Sequence, residues 1–125
     1  MPNQPPRILI VDNDDGMVAA ISTRLEYEGY YCETASSGSQ GYISVSEQQF
    51  DLIVSDLNMP MGDGIAFARR VRELGMIPIV FVTGFEKEYC KELEEFEHVS
   101  VIGKPFHPSH LLEMIDLELG LSISD

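Results

Sequence analysis

Positive charge is scarce in this chain. Its 125 residues carry 8 lysines and arginines against 21 aspartates and glutamates, for a formal charge of −13. A domain that grips a nucleic-acid backbone needs clustered Lys and Arg, so direct nucleic-acid binding is not expected. The same acidity keeps a protein dissolved and suits one that meets basic or cation-loaded partners. Cysteine is also sparse. Cys32 and Cys90 fit neither a disulfide framework nor a metal-ligand spacing and read as packing residues. No apolar run approaches the roughly 18 residues that a membrane helix needs. The opening Met1-Pro2-Asn3-Gln4-Pro5-Pro6 lacks the basic and apolar regions of a signal peptide. Together these absences predict a reducing cytoplasm and no membrane contact.

What is present reads as one globular domain, with 44% hydrophobic residues and enough length to bury a core. Residues 1–6 are expected to be a flexible lead, 7–121 the domain and 122–125 a tail. Ile8–Val11 and Ile77–Val82 are unbroken apolar runs, as expected of strands buried on both faces. Leu52–Val54 is a third, ending at Asp56; Tyr30–Ala35 reads as an edge strand and Val99–Ile102 as a short fifth strand. Helix signals fall between them. Val18, Ile21 and Leu25 share one face and Glu28-Gly29 stops that helix. Ser36-Ser37-Gly38 caps a second helix over about 39–47, with Tyr42 and Val45 inward. A third follows Gly64 to about Leu74, its inner set being Ile65, Ala68 and Val71 or Phe67, Val71 and Leu74. Arg69, Arg70 and Arg72 form its solvated face. An acidic fourth helix, about 86–96, turns Tyr89, Leu93 and Phe96 inward, and Glu88, Glu92, Glu94 and Glu95 outward. His107 and Pro108 start a fifth, lined by Leu112, Ile115 and Leu119. Strands and helices alternating five times predict a three-layer α/β domain with a parallel sheet.

In such sheets ligands sit outside the carboxyl ends of the strands. Asp12, Asp56, Thr83 and Lys104 all arrive there. Each alone is explained by capping or turn chemistry, but their common edge is not. Crowded carboxylates resist joint ionisation, and a hard cation such as Mg²⁺, held by Asp12 and Asp56, relieves this. Asp56 is then placed to attack a phosphoryl group, with Thr83 donating a hydrogen bond and Lys104 pairing with the charge. The constellation predicts an aspartyl-phosphate site. His98, His107 and His110 lack a partner pattern and read as surface or capping residues.

The chain resembles the receiver domain of two-component response regulators over roughly Arg7 to Leu121. The resemblance is carried by Ile8–Asp12, by Asp51 through Met59-Pro60 and Gly62-Asp63-Gly64, by Val82-Thr83-Gly84 and by Lys104-Pro105-Phe106. It implies a doubly wound, flavodoxin-like five-stranded sheet of order 2-1-3-4-5. It also implies that Asp56 is the phospho-acceptor and that a sensor histidine kinase or a histidine phosphotransfer protein is the donor. The protein is then a switch that assists its own phosphorylation and dephosphorylation, not a conventional enzyme. The main-chain carbonyl of Asn58 would join the metal ligands, the Lys104–Pro105 peptide would be cis, and the fourth helix, fifth strand and fifth helix would meet an output partner. That partner is expected in another polypeptide or a segment beyond these residues.

Two positions depart from the family pattern. A second acid usually follows Asp12, and Asn13 stands there; an amide oxygen can ligate but adds no charge, so Mg²⁺ affinity should fall. Asp14 offers a substitute carboxylate, although that position usually begins the turn into the helix. Val101 replaces the usual Tyr or Phe three residues before the lysine and is too small to act as a rotameric gate. Output must then use other packing or the loop after Thr83, where Phe85 can cover the site or pack on the fourth helix. The alternative is a pseudo-receiver, a phosphorylation-independent interaction module. An aspartate-nucleophile phosphatase would carry its nucleophile after the first strand, and flavin binding needs a Gly/Ser/Thr-rich loop where this chain has an Asp-rich one.

Overall fold

The computed structural model of the chain describes residues 5–57, 64–84 and 93–120. Strands β1 (Arg7–Val11), β2 (Tyr31–Ala35), β3 (Leu52–Asp56), β4 (Ile79–Thr83) and β5 (Val99–Gly103) form one parallel sheet in the order β2-β1-β3-β4-β5. Among the described residues the helices are α1 (Asp15–Tyr27), α2 (Gly38–Glu47), α3 (Gly64–Leu74) and α4 (Pro108–Glu118). The expected acidic helix at 86–96 lies mostly outside the described residues, as does Tyr89. Leu93 and Phe96, at its end, pack against the core as expected. No helix among the described residues is long and apolar enough to cross a membrane.

The strands alternate their side chains between two apolar layers, as a period-2 element must. Leu9, Val11, Ile53, Ile79 and Phe81 pack with Val45 of α2 and Ile65, Phe67, Ala68 and Val71 of α3. Ile8, Ile10, Leu52, Val54, Val80 and Val82 pack on the other side with Ile21 and Leu25 of α1 and Leu111 and Ile115 of α4. Central β3 and β4 are buried throughout, whereas edge β2 exposes Tyr31 and Thr34.

Local chemistry starts and stops the helices. The Asp14 carboxylate caps α1 by accepting the Met17 N–H at 3.1 Å. Gly29, at φ +99°, ends it: the Gly29 N–H reaches the Glu26 carbonyl and the Tyr30 N–H the Leu25 carbonyl, both at 3.0 Å. That pairing is a Schellman motif, and it buries Tyr30 beside Leu25. The Ser37 hydroxyl caps α2, and the His107 ring caps α4 by accepting the Ser109 N–H at 3.1 Å, with Pro108 next.

The structure departs from the sequence-based reading at three places. Arg69 and Arg70 are exposed, but Arg72 is not on a solvated face. Its guanidinium is half-buried and donates to the carbonyls of Gly75 (3.4 Å), Ile77 (2.7 Å), Glu97 (2.8 Å) and His98 (3.2 Å). The turns entering β4 and β5 converge there, and one planar fork reaches both. Leu74 is 45% exposed, because α3 ends before its inner face turns back to the sheet. In α4 the buried stripe is Leu111 and Ile115, with Leu112 and Leu119 only half-buried.

Candidate functional site

The register of the sheet assembles the site. Val11 pairs with Ser55 across β1 and β3, and Asp56 with Val82 across β3 and β4. Asp12 therefore follows β1 directly beside the end of β3, and Thr83 ends β4 one residue beyond the partner of Asp56. Thr83 in turn pairs with Gly103, and its carbonyl accepts the Lys104 N–H at 2.8 Å. That bond carries the ladder one step past β5 and delivers Lys104 to the same edge. The Lys104–Pro105 peptide that follows is cis, as expected.

Asp12 is 2% exposed and Asp56 6%, while Thr83 is fully buried. The Lys104 Nζ stands 4.0 Å from Asp12 Oδ2 and 3.8 Å from Asp56 Oδ2. These are ion-pair separations rather than hydrogen bonds. Two carboxylates thus share one ammonium, leaving the trio with a net negative charge. Asp12 Oδ1 accepts the Asp14 N–H at 2.9 Å, whereas its Oδ2 is buried with no hydrogen-bond partner. Burial pushes the Asp12 carboxyl above its ordinary value; Asp56 and Asp14 push the same way, and the Asp14 N–H and Lys104 oppose them.

These groups suit a hard cation. No cluster of three or more His, Cys, Asp or Glu occurs among the described residues, and Mg²⁺ does not need one. It takes one or two carboxylates and completes its shell with carbonyl, water and phosphate oxygens. The orphaned Asp12 Oδ2 and the Asp56 carboxylate fit that donor set, and a cation between them would offset the burial that raises the Asp12 pKa. Asp14 is not free to stand in for the missing second acid, since its carboxylate is committed to capping α1. Asn13 is exposed on the intervening loop. Asn58, Phe85 and Cys90 lie outside the described residues.

Two site features carry no role in the sequence reading. The Gly64 N–H donates to the Leu57 carbonyl at 2.9 Å, which seats the start of α3 against the end of β3. A Cβ at Gly64 would stand 2.6 Å from the Leu57 Cα and 2.8 Å from the Asp56 carbonyl oxygen, so only glycine allows this approach. The Gly62-Asp63-Gly64 turn signal was the clue, but it does not say what the last glycine must touch. Ser55 is also fully buried, and its hydroxyl donates to the Asp56 carbonyl at 3.1 Å. The histidines stay apart from this edge: His107 caps α4, His110 lies exposed on it, and His98 precedes β5 at φ +61°.

Comparison with known proteins points the same way. The family model described as "Response regulator receiver domain" matches residues 8–116. The response regulator receiver protein CpdR of Brucella abortus is 32% identical over 112 residues, covering 88% of this chain and 93% of that protein. The aerobic respiration control protein ArcA of Escherichia coli is 33% identical over 109 residues, 86% of this chain but only 46% of that protein. A CheY-like response regulator receiver domain protein from Methanospirillum hungatei has a solved structure that superposes with a TM-score of 0.86. It is 28% identical and covered over 94% of its length by 93% of this chain.

Proposed function

The chain belongs to the family of response regulator receiver domains, and on that premise we propose that Asp56 accepts a phosphoryl group from a histidine kinase or a histidine phosphotransfer protein. Domains of this family act as signalling switches in two-component systems. The observation that carries the assignment is the trio at the sheet edge, with the Lys104 ammonium within 4.0 Å of both buried carboxylates.

In the proposed step an Asp56 carboxylate oxygen attacks phosphorus in line with the departing histidine nitrogen. The O–P bond forms as the P–N bond breaks, and the donor imidazole takes the bonding pair and a proton. The catalytic groups are Asp56, Thr83 and Lys104. Lys104 pairs with the phosphoryl oxygens, and the Thr83 hydroxyl donates to one of them. Asp12, Asp56 and the Asn58 main-chain carbonyl would hold Mg²⁺, with Asn13 at best an uncharged addition; when bound, the ion neutralises charge on the transferring group. Phosphorylation adds charge to Asp56. Thr83 and Lys104 then reorganise, and the face of β5 and α4 changes its affinity for an output partner. Val101 is half-buried beside the core and leaves that response without an aromatic gate.

The test is incubation with acetyl phosphate and Mg²⁺ followed by intact mass measurement. One added phosphoryl group, absent from Asp56→Asn, is the expected result; an unmodified mass, or equal labelling of Asp56→Asn, overturns the assignment. The second reading, a phosphorylation-independent pseudo-receiver, draws on Asn13 and Val101. It predicts no saturable NMR shifts around Asp12 and Asp56 on Mg²⁺ titration.

A further inference from the structure

Among the described residues, the buried polar or charged side chains are Asp12, Asp56, Thr83 and Ser55. The first three belong to the site at the sheet edge, and Ser55 has no part in it so far. It lies inside β3, a strand buried at every position. Across the sheet it pairs with Val11 of β1 and Phe81 of β4, both in the apolar layer under α2 and α3. A hydroxyl in such a place costs free energy unless it is bonded, and alanine would occupy the position without that cost. The Ser55 hydroxyl donates to the Asp56 main-chain carbonyl at 3.1 Å. A Cβ at Gly64 would stand 2.8 Å from the same carbonyl oxygen, so α3 closes on the strand end at that point. The peptide that carries the acceptor is thus held by a hydroxyl within the strand and by a helix start pressed against it.

From this placement we infer that Ser55 is a positioning residue for Asp56. Its hydrogen bond fixes the plane of the Asp56–Leu57 peptide, and with it the direction in which the Asp56 side chain leaves the backbone. In-line attack needs the reacting atoms held close to their reactive geometry, and small misplacements slow it steeply. Ser55 acts through Asp56 and bonds neither the phosphoryl group nor the metal. The kinetic part of this role rests on the reading of Asp56 given above.

The test compares native protein with Ser55→Ala, Ser55→Thr and Ser55→Val, each checked for folding by circular dichroism. Acetyl phosphate and Mg²⁺ supply phosphoryl group and ion, and intact mass gives the labelling rate. Ser55→Ala should label about fivefold more slowly, as loss of one neutral hydrogen bond does. Threonine and valine share a shape and differ in the hydroxyl, so Ser55→Thr should label faster than Ser55→Val by a similar factor. A purely packing role would give those two the same rate. Amide exchange, followed by NMR without Mg²⁺ or phosphodonor, reads the strand end directly. The Leu57 N–H donates to the Val82 carbonyl and the Gly64 N–H to the Leu57 carbonyl. Both amides should exchange faster in Ser55→Ala, while those of Leu9 and Ile79 keep their native rates. A native labelling rate in folded Ser55→Ala, equal rates for Ser55→Thr and Ser55→Val, or unchanged exchange at Leu57 and Gly64 overturns the inference. If the native protein takes no label, the reading of Asp56 fails, and the exchange result alone decides whether Ser55 holds the strand end.

Discussion

Burial works against the charge of Asp12. Its carboxyl is held above the ordinary value of 3.8, chiefly by burial, so the folded state holds that proton more readily than the unfolded chain. The resulting stability is complete below the unfolded pKa and is lost as pH rises through the folded one. At neutral pH and without metal, ionised Asp12 is therefore a net cost. Asp12→Asn, which keeps an oxygen for the Asp14 N–H, should raise the metal-free Tm at pH 7 by several degrees, corresponding to about 1 kcal/mol. Calorimetry should show the gain shrinking as pH falls toward 4; a gain independent of pH would contradict this account. Asn13 bears on the same balance from the other direction. Asn13→Asp should tighten Mg²⁺ binding about tenfold, by adding one charge near the ion. Isothermal titration of the two proteins checks it, and equal affinities would mean that residue 13 does not face the metal.

At the scale of elements, two contacts hold the site and its supports in register. Gly64 seats α3 on the end of β3, and a Cβ there meets backbone rather than a yielding side chain. Gly64→Ala should cost about 2 kcal/mol through forced displacement and should slow phosphorylation of Asp56, because the strand end that carries it must move. Denaturant unfolding and the acetyl phosphate rate read the two effects separately. Arg72 ties the turn before β4 to the turn before β5 through four carbonyls. Arg72→Met keeps most of the packing volume but leaves those carbonyls without their donor, and should cost about 3 kcal/mol. A loss under about 0.5 kcal/mol, the ordinary surface value, would show that water replaces the guanidinium there.

For the molecule as a whole, the proposed metal site would link Mg²⁺ binding to folding. A cation that binds only the folded state stabilises it by about 2.7 kcal/mol at a hundredfold excess over its Kd. Titrating Mg²⁺ should therefore raise the Tm of the native protein steadily and leave that of Asp12→Asn nearly flat. Parallel slopes in both proteins would point to general screening of the −13 charge instead.

Apolar runs ending in Asp12, Asp56 and Thr83, and a helix-length segment after each, were enough to read the layered sheet and the edge on which the chemistry gathers. Those signals are local: strand burial, turn residues and caps depend on neighbours in sequence. The partners of Arg72, among them Ile77 and His98, sit on separate turns that only folding brings together, so local pattern places it on a solvated face. Leu111, not Leu112, is buried with Ile115, because helical spacing defines a stripe but not the angle at which it meets the sheet. The role of Asp14 was likewise open in the sequence, where a carboxylate beside Asp12 suits a cap or a metal equally well. The sequence by itself determined which residues reach the sheet edge, since strand ends place them there. Only the tertiary structure decided how their charges are shared, because the 3.8 and 4.0 Å separations around Lys104 depend on the packing of three strands at once.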